Sequence, residues 1–109
     1  MESYKLSLNA KEDLRRIYTY GFVEFGELQA DKYFEGFFQT FEKIASNPSA
    51  YQSVDHIREG YRRCAYGSDS IYYRYNGIEV EIMAILGGQD VVDWLLNKPI
   101  NKARCPLLV

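Results

Sequence analysis

The stretch from Arg58 to Leu86 constrains the fold more than any other. It reads as three short strands joined by two tight turns. Asn76-Gly77 is a strong short hairpin signal, because a type I′ turn needs positive φ at both central residues. Gly67-Ser68 suits a type II′ turn, with glycine in the first central position. Two-residue loops at both places predict a register. Tyr75 should face Ile78, Arg74 Glu79, Tyr73 Val80, Tyr72 Glu81 and Ile71 Ile82. Across the earlier turn, Cys64 should face Ile71, Arg63 Tyr72 and Tyr61 Arg74.

Side chains alternate faces along a strand, so this register sorts residues into two sets. Cys64, Ile71, Tyr73, Val80, Ile82 and Ala84 form an expected core face. Tyr61, Arg63, Ser70, Tyr72, Arg74, Glu79 and Glu81 form an expected polar face, with cross-strand rows Arg63–Tyr72–Glu81 and Tyr61–Arg74–Glu79. Arg62 breaks the alternation by turning toward the core side, which an edge position or a bulge would accommodate.

Ahead of these strands, Tyr4, Leu6 and Leu8 alternate with Lys5 and Ser7 as in a half-buried strand. Asn9, with Glu12 three residues on, is the expected N-cap of a first helix beginning at Ala10. Ala10, Leu14, Ile17, Gly21 and Phe25 fall on one stripe, and Gly21 in mid-stripe suggests close approach of another backbone. Gly26 is the expected stop. A second helix from Glu27 to Ala45 carries an apolar face that includes Phe34, Phe37, Phe38 and Phe41, and Asn47-Pro48 ends it. By periodicity that phenylalanine stripe is core. Residues 47–57 read as a loop carrying His56. After Gly87-Gly88, Asp90 to Leu96 is a short helix candidate burying Val91, Trp94 and Leu95, followed by a tail that is basic and then apolar. The expected fold class is α+β: a strand, a helical hairpin, then a three-stranded antiparallel meander, with the helices on one face of the sheet. The domain should span residues 1–96 and the tail 97–109.

Charge narrows the function classes. The net charge is −2 over 109 residues, whereas a nucleic-acid backbone binder usually carries a basic excess. By segment it is −3 over 1–55, +2 over 56–75, −4 over 76–96 and +3 over 97–109. Sequence-specific nucleic-acid binding is therefore not expected. No apolar run approaches the roughly 20 residues that span a bilayer, so a cytoplasmic chain with no membrane contact is expected. Two cysteines in that setting favour free thiols, and with one histidine they make a poor zinc set. No metal or other cofactor is expected.

The order β-αα-βββ resembles the ParE/RelE superfamily of bacterial toxins, and ParE most. The residues that carry the resemblance are Tyr4-Lys5-Leu6-Ser7 leading into Ala10, and the pair Asp13-Leu14. Further along come Gly26 with Gln29-Ala30-Asp31 and Tyr33, then Ala45 with Asn47-Pro48. Last are Ile57 through Arg63, Gly67, and Ile71-Tyr72-Tyr73-Arg74. The resemblance implies the toxin of a two-gene module, bound and neutralised by a ParD-like antitoxin in a hetero-oligomer. It also implies inhibition of DNA gyrase by direct binding. The alternative within the superfamily is a RelE-like endoribonuclease that cuts messenger RNA in the ribosome.

RNA cleavage through the 2′-hydroxyl needs a base, a proton donor and cations on the phosphate. RelE-like chains commonly place His, Tyr or Arg just after the last strand, and many ParE-like chains have His where this one has Gly87. Here no His, Lys, Arg or Tyr occurs from Asn76 through Asn97, and His56 reads as an ordinary loop residue. A non-enzymatic toxin with no catalytic residues is the expectation. Arg58, Arg62, Arg63, Tyr72, Arg74 and Trp94 are the candidates for target contact. Phe34, Phe37, Phe38 and Phe41 are the candidates for antitoxin contact, should part of their stripe stay uncovered in the free chain.

Overall fold

In a computed structural model, residues 3–87 are described. The elements are β1 (Tyr4–Leu6), α1 (Leu8–Phe25), α2 (Glu27–Ser46), a 3₁₀ turn (Pro48–Ala50), β2 (Gln52–Ser53), β3 (Tyr61–Tyr66), β4 (Asp69–Tyr75) and β5 (Val80–Leu86). One five-stranded sheet runs in the order β1-β5-β4-β3-β2, with β1 parallel to β5 and the other pairs antiparallel. This is the expected α+β order. The short edge strand β2 lies in what read as a loop. The candidate helix at 90–96, Trp94 and the tail 97–109 lie outside the described residues.

The first helix starts two residues early, and its cap is Ser7 rather than Asn9. The Ser7 N–H donates to the Ile82 carbonyl at 2.9 Å, which ends β1 on β5. The Ser7 hydroxyl accepts from the Ala10 N–H at 3.0 Å and donates to the Met83 carbonyl at 2.9 Å. One side chain thus caps the helix and ties it to the sheet. The pairing that ends the strand decides where the helix begins, and capping preference alone does not contain that information.

The core lies between the helical hairpin and one face of the sheet. Ala10, Leu14 and Ile17 of α1 and Phe37, Phe41 and Ile44 of α2 meet Cys64, Ile71, Tyr73, Val80, Ile82 and Ile85 there. Of the two glycines inside the helices, a close contact requires Gly36 and not, as expected, Gly21. A Cβ on Gly21 would sit 3.7 Å from the Ala30 Cβ, an ordinary contact, so no close approach requires glycine there. Gly36 of α2 is where the approach is real, because a Cβ would overlap the Tyr66 hydroxyl. Tyr66 lies stacked on Tyr33 with ring centroids 4.9 Å apart, packs on Phe37 and donates its hydroxyl hydrogen to the Tyr33 carbonyl, contacts that hold its ring in place.

The β3–β4 register is as the sequence predicts: Tyr61 faces Arg74, Arg63 faces Tyr72 and Cys64 faces Ile71. The β4–β5 register is not. Tyr75 faces Val80, Arg74 faces Glu81 and Tyr73 faces Ile82, which leaves a four-residue loop, Asn76 to Glu79. The cause is the Asn76 side chain. Its Oδ1 accepts from the N–H groups of Ile78 and Glu79, both at 2.8 Å. Asn76 therefore acts through its side chain, and only Gly77, at φ 94°, takes the left-handed region. A second shift follows between Tyr72 and Tyr73, where Met83 bulges out of β5, so that Tyr72 faces Ala84 and Ile71 faces Ile85. The bulge resets alternation. It sends Ile85 to the core and Ala84 to the opposite face, correcting the assignment of Ala84 to the core face.

Candidate partner-binding surfaces

The far face of the sheet is not the solvated polar face that the sequence suggests. Tyr72 and Ala84, with Leu86 and Val54, form a second buried cluster, and Ile57 and Tyr61 pack against it. Tyr72 is 3% exposed, so its assignment as a surface contact is corrected: its ring is interior. The segment 54–60 folds over this cluster. The Val54 N–H donates to the Tyr61 carbonyl at 2.8 Å, and the Gly60 N–H donates to Asp55 Oδ1 at 2.7 Å. That last bond, with one from the Ser53 side chain, holds the Asp55 carboxyl below the usual carboxylate range.

The candidate arginines are divided between the two faces of the sheet. Arg62 pairs with Tyr73, so it lies on the helix side of the sheet, where Nη1 donates to the Tyr51 carbonyl at 2.6 Å. Arg63 lies on the far face, with Nε donating to the Ser70 hydroxyl at 2.9 Å. Arg74, also there, is paired with Glu81 at 2.9 Å through both Nε and Nη2. Its partner is Glu81 rather than the expected Glu79, a consequence of the longer loop. Arg58 sits in the covering segment. Each of Arg62, Arg63 and Arg74 is thus engaged locally. His56 sits in an exposed turn of the covering segment. Burial holds the Cys64 thiol above its ordinary value, which Arg63 and Lys43 only partly offset.

A second surface is apolar and lies at the α1–α2 turn. Tyr20, Phe22, Val23, Phe25 and Leu28 are 47–76% exposed there. Solvated large side chains concentrated on one turn are a binding feature more often than an accident of composition. The patch borders a groove of about 500 Å³ lined by residues that include Arg16, Tyr20, Phe25, Tyr33, Phe34 and Asp69. The groove has a fixed polar rim. The Tyr33 hydroxyl donates to Asp69 Oδ2 at 2.9 Å and accepts from the Ser68 N–H at 3.2 Å. Burial, helped by the Asp69 bond, pushes the Tyr33 phenol up to about 12. On the opposite rim, Arg16 Nη2 lies 3.4 Å from Asp13 Oδ1 and donates to the Ile85 carbonyl at 3.3 Å.

The phenylalanine stripe divides across these surroundings. Phe37 and Phe41 are fully buried in the core and offer nothing to a partner, which corrects their assignment as contact residues. Phe34 lines the groove and Phe38 packs on it, their ring centroids 5.1 Å apart, and both are partly exposed. The exposed apolar cluster at 20–28 was not singled out from the sequence. Its signal was Phe22, Val23 and Leu28 standing off the core stripes. Among the described residues no group of three His, Cys, Asp or Glu side chains could hold a metal ion, and no helix is long and apolar enough to cross a membrane.

Comparison with known proteins gives one consistent answer. Residues 4–92 match the family model described as the ParE toxin of the type II toxin–antitoxin system parDE. The chain is 43% identical over 86 residues to Toxin ParE1 of Caulobacter vibrioides, covering 79% of this chain and 88% of that protein. It is 32% identical over 74 residues to Toxin ParE1 of Mycobacterium tuberculosis, covering 68% and 76%. Its fold matches a solved chain described as part of the chromosomal ParDE TA system from P. aeruginosa, with TM-score 0.69, 24% identity and coverage of 80% and 96%.

Proposed function

The chain belongs to the ParE family of toxins of type II toxin–antitoxin systems, and on that premise we propose that it inhibits DNA gyrase by direct binding and is neutralised by a ParD-like antitoxin. Toxicity then comes from occupying a target and needs no catalytic group. The single observation that carries this reading is the local engagement of the cationic side chains. Arg62, Arg63 and Arg74 are held by Tyr51, Ser70 and Glu81 on two different faces. A phosphate-cleaving site needs such groups gathered around one reacting centre. Binding by surface complementarity has no such requirement.

The antitoxin reading rests on the hairpin turn. An apolar peptide helix or strand laid along the groove would bury Phe25 and Leu28 and reach Phe34 and Phe38. The polar rim of Tyr33, Asp69 and Arg16 would fix its register. Target contact would fall to Arg58, Arg63 and Arg74 on the far side of the sheet, with Arg62 on the helix side and Trp94 beyond the described residues. The two partners would then meet different surfaces.

A supercoiling assay with purified protein and gyrase, read on a gel for linear DNA, tests the reading. Loss of supercoiling with accumulation of cleaved DNA is expected. Unimpaired gyrase in the presence of folded protein would overturn it, and a ribosome-dependent messenger-cleavage assay would then decide for or against an endoribonuclease.

A further inference from the structure

The loop between β4 and β5 is a projecting tip braced from within. Ile78, on that loop, is 86% exposed, more than any other large apolar side chain among the described residues. A single exposed isoleucine on a slack loop would mean little. Here the backbone around it is pinned. Asn76 Oδ1 accepts from the N–H groups of Ile78 and Glu79, and the Asn76 N–H donates to the Glu79 carbonyl at 3.3 Å. The Tyr75 hydroxyl donates to the Gly77 carbonyl at 3.0 Å. A Cβ on Gly77 would meet open space, so its φ of 94°, and no contact, requires glycine there. Ile78 is itself β-branched and stiff at χ1. Little conformational freedom is left for a partner to freeze.

On the reading of this chain as a toxin that acts by binding its target, we propose that the tip inserts Ile78 into an apolar pocket on that folded target protein. Shape separates this partner from the antitoxin. A flexible segment is taken up by a groove, and the α1–α2 turn supplies one. A braced, projecting side chain instead fits a concavity on a partner that is already folded. Position separates the two as well. The groove is lined by Ser68 and Asp69, where β4 begins, and the tip follows Tyr75, where β4 ends. Six steps at about 3.3 Å each put roughly 20 Å between them.

Two of the candidate arginines lie at the tip's end of the sheet. Arg74 adjoins Tyr75, and its side chain is 51% exposed even in its pair with Glu81. The Arg58 carbonyl accepts from the N–H of Tyr61, which is level with Arg74. An apolar anchor with charged groups about it is the usual anatomy of a protein–protein contact.

Two readouts test the tip. Growth arrest on expression without antitoxin reports contact with the target, and the supercoiling assay reports gyrase alone. Ile78→Asp charges the tip at a solvated position where folding is not at stake. Leu8→Asp makes the same change at a side chain that is 76% exposed outside the tip. Surviving colonies should rise at least tenfold over the parent chain for Ile78→Asp, at most threefold for Ile78→Leu and not at all for Leu8→Asp. The concentration that half-inhibits gyrase should rise at least tenfold for Ile78→Asp, with antitoxin affinity by calorimetry within twofold of the parent. Parent-like growth arrest by Ile78→Asp overturns the proposal. So does a matching loss in Leu8→Asp, or weakened antitoxin binding in Ile78→Asp. A parent chain that arrests growth but leaves gyrase unimpaired overturns the gyrase reading alone, and the colony counts still decide on Ile78. A parent chain that does not arrest growth overturns the proposal.

Discussion

The carboxylate of Asp13 accepts a hydrogen bond from the backbone N–H of Ile85 at 3.0 Å, across 72 residues of sequence. Asp13 is 5% exposed, the one buried charged residue among those described. The Met83 bulge leaves the nearby ladder interrupted, and Asp13 supplies an acceptor to Ile85 while Arg16 donates to the Ile85 carbonyl. A surface-looking acid on α1 thus completes the hydrogen bonding of β5. Asp13→Ala leaves a buried donor unmet and should cost about 1–3 kcal/mol in urea unfolding. Asp13→Asn retains an acceptor oxygen and should cost less. Equal losses from the two would refute the hydrogen-bond account.

The two helix glycines predict opposite outcomes. Gly21→Ala meets only an ordinary contact with Ala30 and should stabilise the chain by about 0.5–1 kcal/mol. Gly36→Ala drives a methyl into the Tyr66 hydroxyl and should destabilise by about 1–3 kcal/mol. Combining it with Tyr66→Ala should cost less than the sum of the two single changes. Thermal melts of the four variants against the parent chain check both signs.

The pH dependence of stability on the alkaline side follows from Tyr33 and Tyr73. Both phenols are raised, Tyr33 to about 12, by burial first and then by its bond to Asp69. The unfolded chain releases these protons near 10 while the folded chain keeps them. Their contribution is therefore fully present below about pH 10 and is lost as pH rises from there through about 12. Absorbance titration at 295 nm should show at least two tyrosines ionising late, coincident with unfolding. Tyr33→Phe should remove one of them.

The hairpin patch gives the functional prediction. Phe25→Glu and Leu28→Glu change side chains that are 65% and 76% exposed, so the fold should survive with a stability change of about 0.5 kcal/mol or less. Each should weaken antitoxin binding at least tenfold by titration calorimetry while leaving gyrase inhibition intact. Phe37→Glu, at a fully buried position, should instead unfold the chain. Parent-like antitoxin affinity in both surface variants would move the antitoxin site elsewhere.

Local pattern and tertiary structure divided the determination of this protein between them. The two helices, the three strands of the meander and the β3–β4 register follow from periodicity and turn chemistry, because those signals act between near neighbours. The α+β order and the ParE-like motifs follow from the same linear information. What depended on distant partners was decided only in the folded state. Ser7 caps α1 because β1 ends on Ile82. Asn76 builds a four-residue loop because its side chain finds two N–H groups. The Met83 bulge then turns Ala84 away from the core, and Tyr72 becomes interior because the segment 54–60 covers it. A one-residue change of register flips every later side chain to the other face. A sequence therefore carries the alternation of a strand pair while leaving its phase to the contacts that pin it, and the phase settles which residues a partner can touch.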